Sequence, residues 1–269
     1  MTRFELDVRK TTLRIATVAF LSFATGTAAS AAVLRIDKSA FTPDAGRITF
    51  SEFANGTVNP IYTPSNYGGG VNAPTVSFGG AFQGQTVGQP PIPVGAAQTG
   101  VVNGTPSASL ALDPSSPQTF ITNDSANPTS PVLSGSPTFN GPVSILFDVD
   151  VAGVGLDGGF FDSVQSTAIT AFNRSGQILG QVLNQQTGIE FLGLVTDNGL
   201  NQIAGLQFSL VGNEPAGFAI DSLRFGRAGQ VTVPGEPVPE PLTILGTLAA
   251  GGIGAMLRRK SKLQAKNNV

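Results

Sequence analysis

The sequence predicts an all-β fold, a β-sandwich of jelly-roll type, over residues 32–230. Three observations carry this expectation. Between Ala32 and about Gln230 no segment sustains the 3.6-residue periodicity of an amphipathic helix. Short runs rich in Val, Ile, Phe and Thr recur instead, divided by Gly, Pro, Asn and Ser. Gly and Pro supply 34 and 19 of the 269 residues, enough for many turns, while a 41% hydrophobic content leaves material for a core.

In chain order, residues 48–53, 75–82 and 107–112 are the first expected strands. Val143, Ile145, Phe147, Val149 and Val151 then alternate with Ser144, Leu146, Asp148 and Asp150, the period-2 pattern of a strand with one buried face. Residues 167–172 and 177–183 flank Asn173-Arg174-Ser175-Gly176, which predicts a hairpin. Residues 189–195, 206–211 and 218–225 bring the total to about eight to ten strands, as a sandwich or jelly roll requires. Between Phe53 and Phe147 the only charges are Asp113 and Asp124. Disorder usually accompanies high charge, so long ordered loops are expected there, with flexible patches around 84–106. Residues 231–240 predict a Pro-rich linker.

Composition removes whole classes of chemistry. The chain has no Cys, His or Trp. It therefore lacks thiol chemistry, the commonest general base and the commonest transition-metal ligand. Residues 32–257 hold fifteen acids against six basic residues, with Lys38 the only Lys, so nucleic acid is not an expected partner. Serine and threonine are abundant, but nucleophilic catalysis needs an activating base, and only Lys38 is available.

The two ends read as addresses. Basic residues run to Arg14, an apolar stretch follows from Ile15, and Ala29-Ser30-Ala31 offers a small-residue cleavage site, so residues 1–31 predict a signal peptide and engagement of the export machinery. At the other end Pro239-Glu240-Pro241 precedes an apolar stretch, Leu242 to Leu257, and then Arg258-Arg259-Lys260. Residues 241–257 predict a short membrane-spanning helix, about 24 Å of apolar length against a hydrocarbon core of about 30 Å. The basic tail, 258–269, places that end in the cytoplasm and the body outside.

This order of parts resembles the PEP-CTERM sorting signal of Gram-negative bacteria, including cyanobacteria. The resemblance covers residues 238–260. It implies recognition by an exosortase, processing near Pro239-Glu240-Pro241, a transient inner-membrane anchor, and delivery to the cell surface or an exopolysaccharide matrix. Residues 143–225 also resemble the jelly-roll, lectin-like domains found ahead of such signals, through Val154-Gly155-Leu156-Asp157, Ile169-Thr170-Ala171-Phe172 and Phe218-Ala219-Ile220-Asp221-Ser222-Leu223. The expected function is a non-catalytic surface or matrix module with a glycan as candidate ligand. The alternative class is a secreted carbohydrate-active hydrolase, which needs only two carboxylates.

Gly153-Val154-Gly155-Leu156-Asp157-Gly158 matches G-x-G-x-x-G, but no helix is expected after it, so a turn between strands is predicted rather than a dinucleotide site. Asp148 and Asp150 share one expected strand face. They lack the remaining ligands of a calcium loop, since Ala152 and Gly159 stand where oxygen donors belong. Tyr62, Asn66 and Tyr67 lie in one loop and form the candidate glycan contact, with rings that pack the loop onto the sandwich as the competing reading. No catalytic residue is expected.

No cofactor is expected beyond one candidate, a structural calcium ion at Glu52 and Asp221. These acids lie in the first and last expected strands, which run side by side in many jelly rolls. Ala219, Leu223, Phe225 and Asp221 are expected to share a face. A carboxylate there needs hydrogen-bond donors, a basic partner (Arg47 or Arg224), an outward-turning bulge, or a metal. The resemblance to lectin-like sandwiches, which often carry such an ion, points the same way.

Overall fold

The computed structural model describes residues 32–88, 100–125, 131–215 and 217–235. The expected signal peptide, the Pro239-Glu240-Pro241 motif, the membrane segment and the Arg258-Arg259-Lys260 tail lie outside the described residues. Among the described residues no helix is long and apolar enough to cross a membrane.

The chain is all-β. Its early strands are short: β1 (Val33–Arg35), β2 (Gly46–Ile48), β3 (Ile61–Tyr62), β4 (Val76–Gly79), β5 (Thr86–Gly88), β6 (Val101–Asn103), β7 (Thr119–Thr122) and β8 (Val132–Gly135). The later ones are longer: β9 (Val143–Val151), β10 (Gly153–Phe161), β11 (Thr167–Phe172), β12 (Ile178–Leu183), β13 (Gly188–Thr196), β14 (Ile203–Leu210) and β15 (Ala219–Gly226). Two single-turn 3-10 helices, Lys38–Ala40 and Pro64–Asn66, sit in the connections.

Two antiparallel sheets enclose the main core. The first runs β1-β13-β10-β15-β8-β7, with β2 also paired to β15; the second runs β12-β11-β14-β9-β4-β3. Val154 and Leu156 of β10, Leu192 and Leu194 of β13, and Leu223 and Phe225 of β15 meet Ile145 and Phe147 of β9 and Leu206 and Phe208 of β14 in one apolar cluster. The backbone passes directly from the second sheet to the first at Ala152, between β9 and β10.

Both outer faces are also covered, and this alters the expected alternation. On the second sheet Phe82 and Leu110 pack on Phe172 and Ala204. Beside them Gln207 Nε2 donates to Gln85 Oε1 at 2.9 Å and to Ser144 Oγ at 3.0 Å. Ser144 is therefore buried although it lies on the face the sequence assigned to solvent. On the first sheet Ile36, Phe41, Val195, Val231 and Val233 form a second small core. Residues 231–233, expected to begin the linker, thus belong to the sandwich, and Thr232 N donates to Ala40 O at 2.9 Å.

Several strands differ from expectation for local reasons. β2 ends at Ile48, because Phe50 takes φ 60° and turns the chain out of the sheet. Residues 107–112 form no strand, and Ser109 has φ 66°. Residues 153–158 are not the expected turn but the start of β10, between β13 and β15. A Cβ at Gly155 would come within 2.4 Å of the Phe191 ring, so glycine admits the ring to the strand surface. The expected hairpin is present as β11 and β12, its turn held by Ser175 N and Gln177 N donating to Asn173 Oδ1, each at 3.0 Å. Within the region expected to be flexible, β5 and β6 pair as a two-stranded ribbon, while residues 89–99 lie outside the described residues.

Candidate functional site: a cleft beside Tyr67

The expected tyrosine site divides. Tyr62 is fully buried in β3, with its ring enclosed by Phe50, Phe53 and Phe78 at centroid distances of 6.1, 4.7 and 5.8 Å. It offers no ring face to a ligand, which is the packing role rather than the binding role. Burial, with a smaller contribution from the Glu52 charge, pushes its phenol well above the ordinary tyrosine range. Its hydroxyl is shut from solvent and has no hydrogen-bond partner. Asn66 turns back on its own loop, where Oδ1 accepts from Thr63 N and Thr63 Oγ1, both at 2.8 Å, as a capping box.

Tyr67 is half-buried at the mouth of a cleft of about 720 Å³. Its hydroxyl donates to Pro74 O, closing the 67–74 loop on itself. Its ring meets Phe225 edge-on at 5.2 Å. The loop wraps the ring so closely that a Cβ on Gly69 would lie 2.5 Å from it. Opposite this loop, the approach to β2 contributes Asp44 and Arg47, and the segment after β15 contributes Arg227 and Gln230. Asp44 is held: Oδ1 accepts from Thr42 Oγ1 at 2.6 Å and Oδ2 from Gln230 Nε2 at 3.2 Å. These bonds pull its carboxyl below the usual aspartate range, Thr42 contributing most.

The cations of the body fall into two groups. Arg35 pairs with Glu190, Lys38 with Asp157 at 2.7 Å, and Arg174 with Asp150. Among the described residues Arg47, Arg224 and Arg227 make no ion pair. Arg47 and Arg224 are cross-strand partners on β2 and β15. Burial and then the Arg47 charge pull Arg224 down, with Asp157 opposing. Arg227 donates from Nη1 to Asn72 O at 3.4 Å, while its Nε is shut from solvent without a partner. Sequence reading placed Arg47 and Arg224 only as partners for Asp221 and missed Arg227. The available signal was the small number of cations in an acidic chain.

The expected acidic pair has structural duties. Asp148 Oδ1 accepts from Thr75 N at 2.7 Å. Asp150 accepts from Arg174 Nε at 3.1 Å, and Arg174 Nη1 also donates to Phe147 O at 2.8 Å. The two carboxylates thus serve different neighbours, at a place where β9 shifts register against β14.

At the expected calcium site the first and last strands do lie together, with Ile48 opposite Leu223. β15 shifts register against β10 between Ser222 and Ile220, which makes Asp221 the extra residue of a β-bulge. Ile220 and Leu223 consequently both face the main core, and the shared face expected for Ala219, Asp221 and Leu223 does not exist. Glu52 Oε1 accepts from Thr49 N and Thr49 Oγ1, both at 2.9 Å, and its Oε2 is buried without a hydrogen-bond partner. Among the described residues no group of three or more Asp or Glu gathers as a metal site would.

Neither a family model nor a curated protein matches the chain.

Proposed function

We propose that this chain is an exported, exosortase-sorted protein of the cell surface or extracellular matrix, whose body is a non-catalytic, glycan-binding sandwich of jelly-roll type. The observation that carries the reading is the ordered C-terminal series: Pro239-Glu240-Pro241, an apolar stretch, then Arg258-Arg259-Lys260, at the opposite end from an Ala29-Ser30-Ala31 cleavage signal. The pairing of β1 with β13 and of β2 with β15, which brings distant parts of the chain side by side, supports the jelly-roll reading. The cleft beside Tyr67 supports a ligand role for the body.

A non-catalytic role is supported by the absence of His and Cys and by the structural use of the acids. Asp148, Asp150, Asp157, Glu190 and Glu214 each hold a backbone N–H, a hydroxyl or a basic side chain. Turnover of a glycan that disappears in Asp148→Asn or Asp150→Asn would promote the hydrolase alternative. The sorting reading is tested by mass spectrometry of surface material from the producing cell. No peptide beyond about Leu242 is expected, and an intact Arg258-Arg259-Lys260 tail on that material removes the reading.

The calcium proposal is supported now by Glu52 Oε2 alone, a buried oxygen with an open acceptor position. Calcium bound there would raise the melting temperature, and Glu52→Gln would abolish the rise. An unchanged melting curve in millimolar calcium or in chelator removes the proposal.

A further inference from the structure

The body carries fifteen acids against six basic residues between 32 and 257, so a basic residue without an ion pair is not explained by a shortage of acids. Arg47, Arg224 and Arg227 nonetheless stand without one among the described residues, and they lie close together in the fold. Placing like charges side by side costs free energy unless something of opposite sign offsets it. Arg47 and Arg227 both line the cleft beside Tyr67. Arg224, across from Arg47, adds positive charge from the neighbouring strand.

We infer that this cleft binds the carboxylate of an acidic glycan, a chain of uronate sugars, through Arg47 and Arg227. The inference deepens the glycan-binding reading above and rests on it. A guanidinium presents its donors in a planar fork that matches a carboxylate. Arg227 spends one recorded bond, from Nη1, on Asn72 O, and among the described residues Nη2 makes none, so the outer donors of its fork are not exhausted by the fold. Phosphate and sulfate suit arginine equally well, but Asp44 lies in the same cleft with its charge fixed by Thr42 and Gln230. One fixed negative charge opposes the dianion of a phosphate monoester more strongly than a singly charged carboxylate; a sulfate ester is also singly charged, and tighter binding of a sulfated than of a uronate tetrasaccharide would overturn the assignment. The 68–70 wall is three consecutive glycines, which leaves backbone rather than side chain facing the sugar hydroxyls. Tyr67 shapes the wall: its ring is spent on Phe225 and its hydroxyl on Pro74, so recognition is polar rather than by ring stacking. The volume of about 720 Å³ lies within the usual range of ligand clefts.

The test is calorimetric titration of the full chain, purified in detergent, with tetragalacturonate, its fully methyl-esterified form and sodium acetate. Tetragalacturonate should bind, and esterification should weaken binding about tenfold or more. Arg47→Ala and Arg227→Ala should each weaken it by about tenfold, Arg227→Lys by less, and Arg35→Gln, which removes a cation on β1 at the far end of the sheet, not at all. Melting curves of Arg227→Lys and the parent should coincide, so that lost binding is not lost folding. Equal binding of acid and ester, indifferent to the arginine variants, would overturn the uronate assignment and leave glycan binding standing. Binding of neither form would overturn both. Displacement by equimolar acetate would reassign the cleft to free small carboxylates and overturn the glycan assignment.

Discussion

Tyr62 and Tyr67 are the only tyrosines, the first fully buried and the second half-buried. Burial raises both phenols above the ordinary value of 10.0, with the charges of Glu52 and Asp148 adding to it. The sign follows from linkage. Below pH 10 both groups are neutral, folded or unfolded, and stability is unaffected. Above pH 10 the unfolded chain loses protons that the folded chain keeps, so stability falls as pH rises. Tyrosinate absorbance should therefore stay flat through pH 10 and rise only together with unfolding. A smooth titration near pH 10 in the folded protein would refute this. The same burial makes the Tyr62 hydroxyl a cost, since it lacks a partner. Tyr62→Phe should be neutral or stabilising by up to about 1 kcal/mol, whereas Tyr62→Ala should cost about 3–5 kcal/mol in denaturant titrations.

At the scale of elements, β10 is the decisive strand because it lies between β13 and β15. Its glycines hid it in the sequence: a Gly-rich run reads as a turn, since strand propensity rests on side chains that fit a pleated surface. The structure supplies what is missing from outside the strand, as Phe191 covers Gly155. Gly155→Ala should cost about 1–3 kcal/mol through overpacking, and Phe191→Leu should relieve part of that loss in the double variant. Simple additivity of the two would show that the ring is not what forbids the methyl group. β9 runs over the expected residues and buries Val151 as expected, but its alternation fails at Val149. There Arg174, reaching over from the β11–β12 turn, draws Phe147 O and Asp150 toward itself, and the period-2 pattern lapses, leaving Val149 exposed.

Across the whole molecule, the two ends of the described chain close the first sheet's outer face together. Phe41 bridges Val231, and Val231 and Val233 are buried with Ile36 and Val195. A chain ending at Gln230 should lose about 2–5 kcal/mol, from two valine side chains no longer buried, while a chain ending at Gly235 should melt like one ending at Glu240. Equal melting of the two truncations would show that 231–233 contribute nothing. The second outcome bears on the proposed processing near Pro239-Glu240-Pro241, which lies beyond the last buried valine and would leave the sandwich whole.

The sequence by itself determined the all-β class of the described residues, the β11–β12 hairpin, most of the longer strands and the chemistry denied to a chain without His or Cys. These depend on local pattern and on composition, both of which are written along the chain. Only the tertiary structure decided that Tyr62 is core and Tyr67 is cleft, although five residues separate them in one loop. It also decided that a bulge at Asp221 reverses the side-chain faces of β15, and that Arg47 and Arg227 share a cleft. Each of these depends on which distant segment lies alongside: Phe78 beside Tyr62, β10 beside Asp221, and the 67–74 loop in one cleft with two arginines 180 residues apart. Period and propensity describe one strand at a time, whereas burial and charge pairing arise between strands.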